Sequence, residues 1–185
     1  MIKHRSFGHT RAFDPELLEK TGMDIDFAHV WHAVGWDDFM PFEENGSRLL
    51  TIQFLCTLRE VDDGVCFLLF GNERYFNWRN FSHLLSFNAH LPVFLAKACR
   101  GFDQHEFWGF ISDQVVHGKF APQCNDIQNP TLRLMHKWVV MTLFSRDDPR
   151  PVRNDELMKL YAMVNKIRVS PVKAMAYKFK DDRSY

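Results

Sequence analysis

The stretch NPTLRLMHKWVVMTLF, residues 129–144, decides the fold of this sequence. Asn129 supplies a side-chain oxygen that caps a helix, and Pro130 suits the first helical position, so a helix is predicted to begin there. Leucine, methionine, tryptophan and valine then occur on nearly every side of this helix, which is predicted to run to about Phe144. A helix that is apolar nearly all round must be surrounded by other elements, so we place it at the centre of the core.

Helix signals of the same kind recur on both sides of this stretch. Capping residues, prolines and acidic residues stand before several apolar segments, as they do at helix N-termini. Predicted helices begin at Asp14-Pro15, Asp24 or Asp26, Ser47, Asn77, Pro92, Asp103, Asn154 and Ser170-Pro171. The matching ends are expected near Gly22, Ala33, Leu58, Leu85, Cys99, Val116, Val164 and Phe179.

A short β-hairpin is predicted near residues 65–76. Residues 65–70, VCFLLF, are rich in β-formers, lie between glycines and follow the turn signal Val61-Asp62-Asp63-Gly64. Gly71-Asn72-Glu73 then returns the chain into Arg74-Tyr75-Phe76. The predicted fold is therefore mainly α, with about seven or eight helices around one small hairpin. We expect a flexible N-terminus at 1–12, a single helical domain at 13–175, and a divergent, disordered tail at 176–185.

Composition favours a folded protein and gives no overall charge. Apolar residues make up 46% of the 185 residues, which is enough to bury a core and too much for a disordered chain. Lys plus Arg equals Asp plus Glu at 23 each, so the basic excess of a dedicated nucleic-acid binder is missing. Residues 1–70 nevertheless carry 6 basic and 12 acidic side chains, and residues 146–185 carry 10 and 6. This asymmetry either favours head-to-tail self-association and attachment of the basic end to nucleic acid, or reflects solvated faces that differ by chance.

The cysteines and the N-terminus indicate a reducing compartment. The four cysteines are separated by 10, 33 and 25 residues and form no CxxC pair, so they are interpreted as reduced thiols. The basic start of the chain has no apolar run behind it, and the longest relevant apolar run, 138–144, is too short to span a bilayer. We predict an intracellular protein, cytoplasmic or nuclear, that is neither secreted nor membrane-bound.

The sequence contains no complete catalytic or metal-binding motif. His29 and His32 are three residues apart on a predicted helix, but no further His or Cys follows at the spacing of a zinc site. His105-Glu106 lacks the second histidine of HExxH, and no GxSxG, P-loop or GxGxxG pattern occurs. We therefore predict no enzyme, no metal, no cofactor and no small-molecule substrate, with each histidine packed at a core edge or exposed to solvent.

A basic set in the C-terminal part is the candidate binding site. Its members are Arg146, Arg150, Arg153, Lys159, Lys166, Arg168 and Lys173. Lys159 and Lys166 are seven residues apart, so we predict that they share a helix face opposite much of the apolar stripe that includes Leu157 and Leu160. Cations of this kind contact phosphates, and neighbouring aromatic side chains stack on bases, so a nucleic acid is the expected ligand. The alternative is an ordinary amphipathic helix with a solvated basic side.

Several long strings resemble proteins of plant Athila-type, Ty3/gypsy-like retroelements over roughly residues 5–175. They are RSFGHTR (5–11), LEKTGMD (18–24), GSRLLTIQFLCTL (46–58), GKFAP (118–122), CNDIQNPTLRLMHKW (124–138), RPVRNDEL (150–157) and KIRVSPVKA (166–174). The segment from Phe67 to Phe87 is also similar to a broader pattern of plant mobile-domain proteins: a strand, a glycine turn, a second strand and a helix. Ser86 stands where that pattern usually has glycine, which puts the tight exit from the helix in question.

The resemblance implies a product of the first open reading frame, in the gag region, with no catalytic residues to carry over. Such a protein is expected to be non-enzymatic, to form homo-oligomers and to bind element RNA. After Ala174 the sequence departs from the family pattern, which indicates a truncated copy. The alternatives are a plant-mobile-domain-like regulatory module that acts through protein partners, and a non-functional truncated copy.

Overall fold

The stretch at residues 129–144 contributes to the core as predicted, since residues 131–144 are buried or half-buried and only Asn129 and Pro130 are exposed. The computed structural model describes residues 15–37, 47–116, 118–144, 146, 148–173 and 175–176. Within it, the side-chain oxygen of Asn129 accepts a hydrogen bond from Leu132 N at 2.9 Å and caps helix α7, Pro130–Trp138. A π-helix, Val139–Leu143, continues this helix and leaves Val139 and Val140 with no exposed surface. The central helix is therefore confirmed, although its second half is wound more widely than an α-helix.

Eight α-helices lie in the described part of the chain, and the prediction of a mainly helical fold is confirmed. They are α1 (Pro15–Lys20), α2 (Asp24–Val34), α3 (Arg48–Thr57), α4 (Trp78–Leu84), α5 (Leu95–Ala98), α6 (Gln104–Ser112), α7, and α8 (Asn154–Val164). A 3₁₀ turn, Cys124–Asp126, precedes α7. Residues 172–173 and 175–176 are also helical, and Met175 N donates to Pro171 O at 3.1 Å.

Several predicted helix caps are present, whereas α2 begins after Met23 without a side-chain cap. The side chains of Ser47, Asn77 and Asp103 each accept a backbone N–H from the first turn of the helix that follows. Helix α6 ends at Ser112 and not near Val116, because Asp113 adopts a left-handed conformation with φ 56°. The helix predicted from Pro92 is shorter than expected and is limited to α5.

The β-hairpin is confirmed as part of a three-stranded antiparallel sheet in the order β1-β2-β3. The strands are β1 (Arg59–Val61), β2 (Gly64–Leu69) and β3 (Asn72–Asn77). The turn at Phe70-Gly71 has φ 52° and 76°, which matches the two left-handed residues of a type I′ hairpin. Strand β1 was not predicted, because three residues are too few to show an alternating pattern. The pairing Val61↔Gly64 places it directly across the predicted turn at Asp62-Asp63.

A group of aromatic rings in the core joins α2 and α7 to the segments that follow α2 and α4. Trp31 meets Trp138 edge to face with ring centroids 4.3 Å apart, and Trp36 meets Phe87 at 6.1 Å. The indole N–H of Trp36 donates to Val169 O at 2.7 Å, and this hydrogen bond connects the C-terminal part of the chain to the aromatic cluster. No helix in the described ranges combines the length and the apolar character needed to cross a bilayer.

Some predictions fall on residues that the structure does not describe. They are the flexible N-terminus at 1–12, the helix start at Asp14, and the tail from residue 177 onward. These statements remain expectations.

Candidate nucleic-acid interface

The seven basic residues predicted to bind RNA do not form one surface. Four of them are exposed to solvent, and three are largely inside the protein. The exposed residues are Arg150, Arg153, Lys166 and Arg168. The largely internal ones are Arg146, Lys159 and Lys173.

Arg146 belongs to an internal charged cluster around the carboxylate of Glu156. Glu156 is 1% exposed and pairs with Arg146 through Oε1, while Oε2 lies 3.1 Å from Nε2 of His136, which has no exposed surface. Arg146 also donates through Nη2 to Asp148 O at 2.9 Å and Pro151 O at 3.2 Å. The guanidinium therefore ties the loop before α8 to the first turn of that helix.

Glu156 also caps α8 from the inside. Its Oε2 accepts the backbone N–H of Arg153 at 2.9 Å, so one carboxylate receives hydrogen bonds from three different segments. Burial works against its ionised form, but the hydrogen bonds from His136, Arg153 N and Arg146 outweigh burial and lower the pKa of Glu156. The carboxylate is consequently held as an anion at neutral pH, and the cluster serves the fold.

Lys159 is buried, and the predicted face shared with Lys166 is wrong. Its side chain is 2% exposed, with Nζ 4.1 Å from the ring centroid of Phe144 and 3.4 Å from Asp155 O. Burial lowers the pKa of the ammonium to about 8. Lys166 lies beyond the end of α8, exposed, with φ 54°. The reason is that α8 has neighbours on several sides, namely α2, α5, α6 and α7, so little of its circumference faces water.

Lys173 lies in a cage of two aromatic rings and one acid. Its Nζ is 4.0 Å from the ring centroid of Phe94, 5.1 Å from that of Trp78 and 3.4 Å from Oε1 of Glu60. Lys97 approaches the same Phe94 ring at 4.9 Å. The Lys173 side chain is only 15% exposed, so most of its contact surface is used within the chain.

The four exposed basic residues stand in two pairs at opposite ends of α8. Arg150 and Arg153 precede the helix, and Lys166 and Arg168 follow it. Helix α8 has 11 residues, and an α-helix rises about 1.5 Å per residue, so the helix separates the two pairs by about 16 Å. Arg150 is bound to the carboxylate of Asp148 through Nε at 2.8 Å, which lowers the pKa of Asp148 to about 2. The exposed charge is therefore divided, and one of its four members already has an anionic partner.

The remaining titratable side chains give no metal cluster in the described ranges, where no three His, Cys, Asp or Glu residues come together. His29 and His32 are exposed, and His32 Nδ1 lies 3.2 Å from Asp37 Oδ1. Burial raises the pKa of the Cys99 and Cys124 thiols, which keeps them protonated and poorly nucleophilic.

Two internal partners of the charged cluster were not identified from the sequence. His136 was expected at a core edge or in solvent, yet it is fully buried, and Glu156 was seen only as part of a helix start. A signal was present, because a histidine among the apolar residues of a predicted core helix needs a polar partner inside the core.

The fold and its charges define a mainly helical protein with an internal ionic cluster and a divided basic surface. The chain belongs to the ATHILA ORF-1 family, whose model matches residues 1–168. It is therefore a retrotransposon-derived protein of the plant Athila type, as its sequence strings suggested. No curated protein and no solved structure matches the chain.

Proposed function

We propose that this protein is a gag-region component of its retroelement that self-associates and binds RNA without catalysing a reaction. The observation that carries the RNA part is the pair of exposed basic groups at the two ends of α8, Arg150 with Arg153 and Lys166 with Arg168. Exposed cations about 16 Å apart, one pair at each end of the helix, suit two separate phosphates of a single strand, since phosphates repeat along the strand. The four thiols fit a protein that acts in the reducing cytoplasm or nucleus.

The self-association part rests on large apolar side chains at the surface. Those more than half exposed are Leu17, Ile25, Leu49, Phe70, Tyr75, Leu84, Phe110 and Val115. Single exposed apolar residues are ordinary, but Phe110 and Val115 are 74% and 78% exposed and lie close together in sequence, at the end of α6. Phe70 is 72% exposed at the tip of the hairpin, in a left-handed conformation that bulky residues rarely adopt.

The same exposed side chains favour the second candidate function, a regulatory module that binds another protein. A homogeneous monomer at all concentrations would favour this alternative, and a concentration-dependent mass would favour self-association. Sedimentation equilibrium across a hundredfold range of protein concentration separates the two.

RNA binding is tested by fluorescence anisotropy of a labelled single-stranded RNA between about 50 and 200 mM salt, where phosphate contacts weaken steeply. The test variant removes the four exposed cations at the ends of α8: Arg150→Ala, Arg153→Ala, Lys166→Ala and Arg168→Ala. The matched control removes four other exposed cations: Arg74→Ala, Arg79→Ala, Arg100→Ala and Lys119→Ala. Both variants lose the same formal charge.

If the proposed surface binds RNA, the test variant loses affinity, and its plot of log binding constant against log salt concentration becomes less steep. Each phosphate contact on a single strand contributes a slope of roughly 0.7, so the loss of four contacts lowers the slope by about 3. The control keeps most of its slope. An equal loss in both variants would mean diffuse attraction to the whole protein and would refute a site at α8. No binding at the low-salt end would refute the RNA part altogether.

A further inference from the structure

The C-terminal arm, defined as residues 169–173 and 175–176, fills a groove made by distant parts of the chain. Every described residue of the arm is buried except Lys173. Val169 O accepts the indole N–H of Trp36 at 2.7 Å, and Ser170 N donates to Pro92 O at 2.9 Å. The hydroxyls of Ser170 and Ser82 are 2.9 Å apart and share a hydrogen bond. The arm thus binds the groove through both its backbone and its side chains.

Lys173 gives this contact chemical selectivity. Its ammonium contacts the rings of Phe94 and Trp78 and the carboxylate of Glu60, which together form a binding site for a single cation. Val172 beside it has no exposed surface. A segment of different sequence would lack either the cation or the small buried side chains, so the groove fits this arm in particular.

The segment that joins the arm to α8 has the opposite character. Of residues 164–168, only Ile167 is partly buried, and the other four are exposed. Lys166 has φ 54°, a left-handed conformation that is unfavourable for any residue with a Cβ. Lys166 N donates to Met163 O at 3.3 Å and Ile167 N to Ala162 O at 2.8 Å, which is the hydrogen bonding of a Schellman motif at the end of α8. The hinge is therefore short, mostly exposed and left-handed at a residue other than glycine, and it connects a buried helix to a buried arm.

We infer that the arm is exchanged between two copies of this chain, so that the arm of each copy fills the groove of the other. The inference rests on the self-association part of the proposed function and gives it a specific contact. An exchanged arm makes the same hydrogen bonds and the same ammonium contact as in the monomer, so exchange loses no arm contact. An extended hinge releases the left-handed conformation of Lys166 and gives up the hydrogen bonds from Lys166 N to Met163 O and from Ile167 N to Ala162 O.

The test traps the arm in its groove with a disulfide. Ser82→Cys and Ser170→Cys place two thiols where the hydroxyls are 2.9 Å apart, in a Cys56→Ser background because Cys56 carries an exposed thiol. The full-length protein is concentrated, its dimer fraction is isolated by gel filtration and oxidised, and the products are separated on a denaturing gel without reductant. The single variants Ser82→Cys and Ser170→Cys, in the same background, are the controls and should give no specific product.

Arm exchange predicts covalently linked dimers from the dimer fraction and internally crosslinked monomers from the monomer fraction. A dimer fraction that yields only internally crosslinked monomers would overturn arm exchange and leave self-association through another surface. A protein that stays monomeric at every concentration would overturn both. RNA binding is measured separately, so its failure is distinguishable from either result.

A second variant tests the hinge without touching the groove. Lys166→Gly removes the left-handed strain from the monomer, whereas Lys119→Gly removes an exposed lysine at a position without positive φ. The strain at one hinge corresponds to roughly a fivefold change in the equilibrium constant, and each dimer contains two hinges. We therefore expect Lys166→Gly to weaken the dimer about 25-fold. The Lys119→Gly control should leave dimerisation nearly unchanged. Equal dimerisation of both variants would contradict the role of the hinge.

Discussion

Replacing the buried carboxylate of Glu156 by an amide should strongly destabilise the protein. Glu156→Gln keeps the size of the side chain, but its single oxygen cannot accept from His136 Nε2, Arg146 Nη1 and Arg153 N together. The amide NH₂ also faces donors, and the charge that neutralises Arg146 is removed. Loss of one partner of a buried ion pair costs about 3–5 kcal/mol, and hydrogen bonds to charged groups are worth about 1.5–3 kcal/mol each. We therefore expect a loss of about 3–5 kcal/mol in the free energy of unfolding at pH 7.

The assay is urea unfolding followed by tryptophan fluorescence, which is sensitive here because Trp31, Trp36 and Trp138 are buried in one cluster. Glu19→Gln is the matched control, since Glu19 is exposed on α1 and its replacement should change stability by no more than about 0.5 kcal/mol. A loss below about 1 kcal/mol for Glu156→Gln would refute the view that this cluster stabilises the fold.

The pH dependence provides an independent check of the same reasoning. The pKa of Glu156 is lowered in the folded protein, so its contribution is fully present above the pKa of the unfolded chain, about 4.3. That contribution is lost as pH falls through the lower folded pKa. The difference in unfolding free energy between wild type and Glu156→Gln should thus be constant from pH 7 to about 5 and shrink below about 4. A difference that does not change with acidification would contradict an ionised Glu156.

Three further substitutions test local features. Ser86→Gly should stabilise the protein by roughly 0.5–1 kcal/mol in urea unfolding, because Ser86 closes α4 with φ 59°; a destabilised variant would contradict this. Asn129→Ala should cost about 1 kcal/mol through loss of the α7 cap, measured in the same way, and an unchanged midpoint would argue against that cap. Because burial lowers the pKa of Lys159 to about 8, its proton is released earlier in the folded protein than in the unfolded chain. Wild-type stability should therefore rise by about 1.5 kcal/mol between pH 8 and 9.5, a rise that Lys159→Met should abolish; its persistence would assign it to another group.

Features set by neighbouring residues were predictable from the sequence. Ser47, Asn77, Asp103 and Asn129 all cap the helices predicted to follow them, because a cap depends on a side chain and a backbone N–H two or three residues away. The tight end of α4 at Ser86 was in question because glycine is usual at that position. The structure nevertheless forms it with serine. Ser86 N donates to His83 O and Phe87 N to Ser82 O, the hydrogen bonds of a Schellman motif.

Features that depend on how many neighbours an element has were not predictable. The seven-residue spacing of Lys159 and Lys166 suggested a solvated face, but α8 is enclosed on several sides and Lys159 is inside. Glu156 and Lys159 are both charged, and only the tertiary arrangement shows that each has a partner in the interior. The cage around Lys173 joins β1, α4 and residue 94, which no local pattern in the sequence relates.

The division of the basic residues links the two parts of the proposed function. Arg146 pairs with Glu156 and Lys173 with Glu60 inside the chain, so the number of basic residues after residue 145 overstates the cations that an RNA meets. One copy presents two exposed pairs, which favours weak and salt-sensitive binding. Two copies joined by exchanged arms would present four such pairs on one body, and the second contact would then be intramolecular. Linked contacts of this kind raise avidity by about 10²–10⁴ without any new type of interaction. Arm exchange would therefore turn a weak basic surface into an effective one, and RNA binding should follow the dimer and not the monomer.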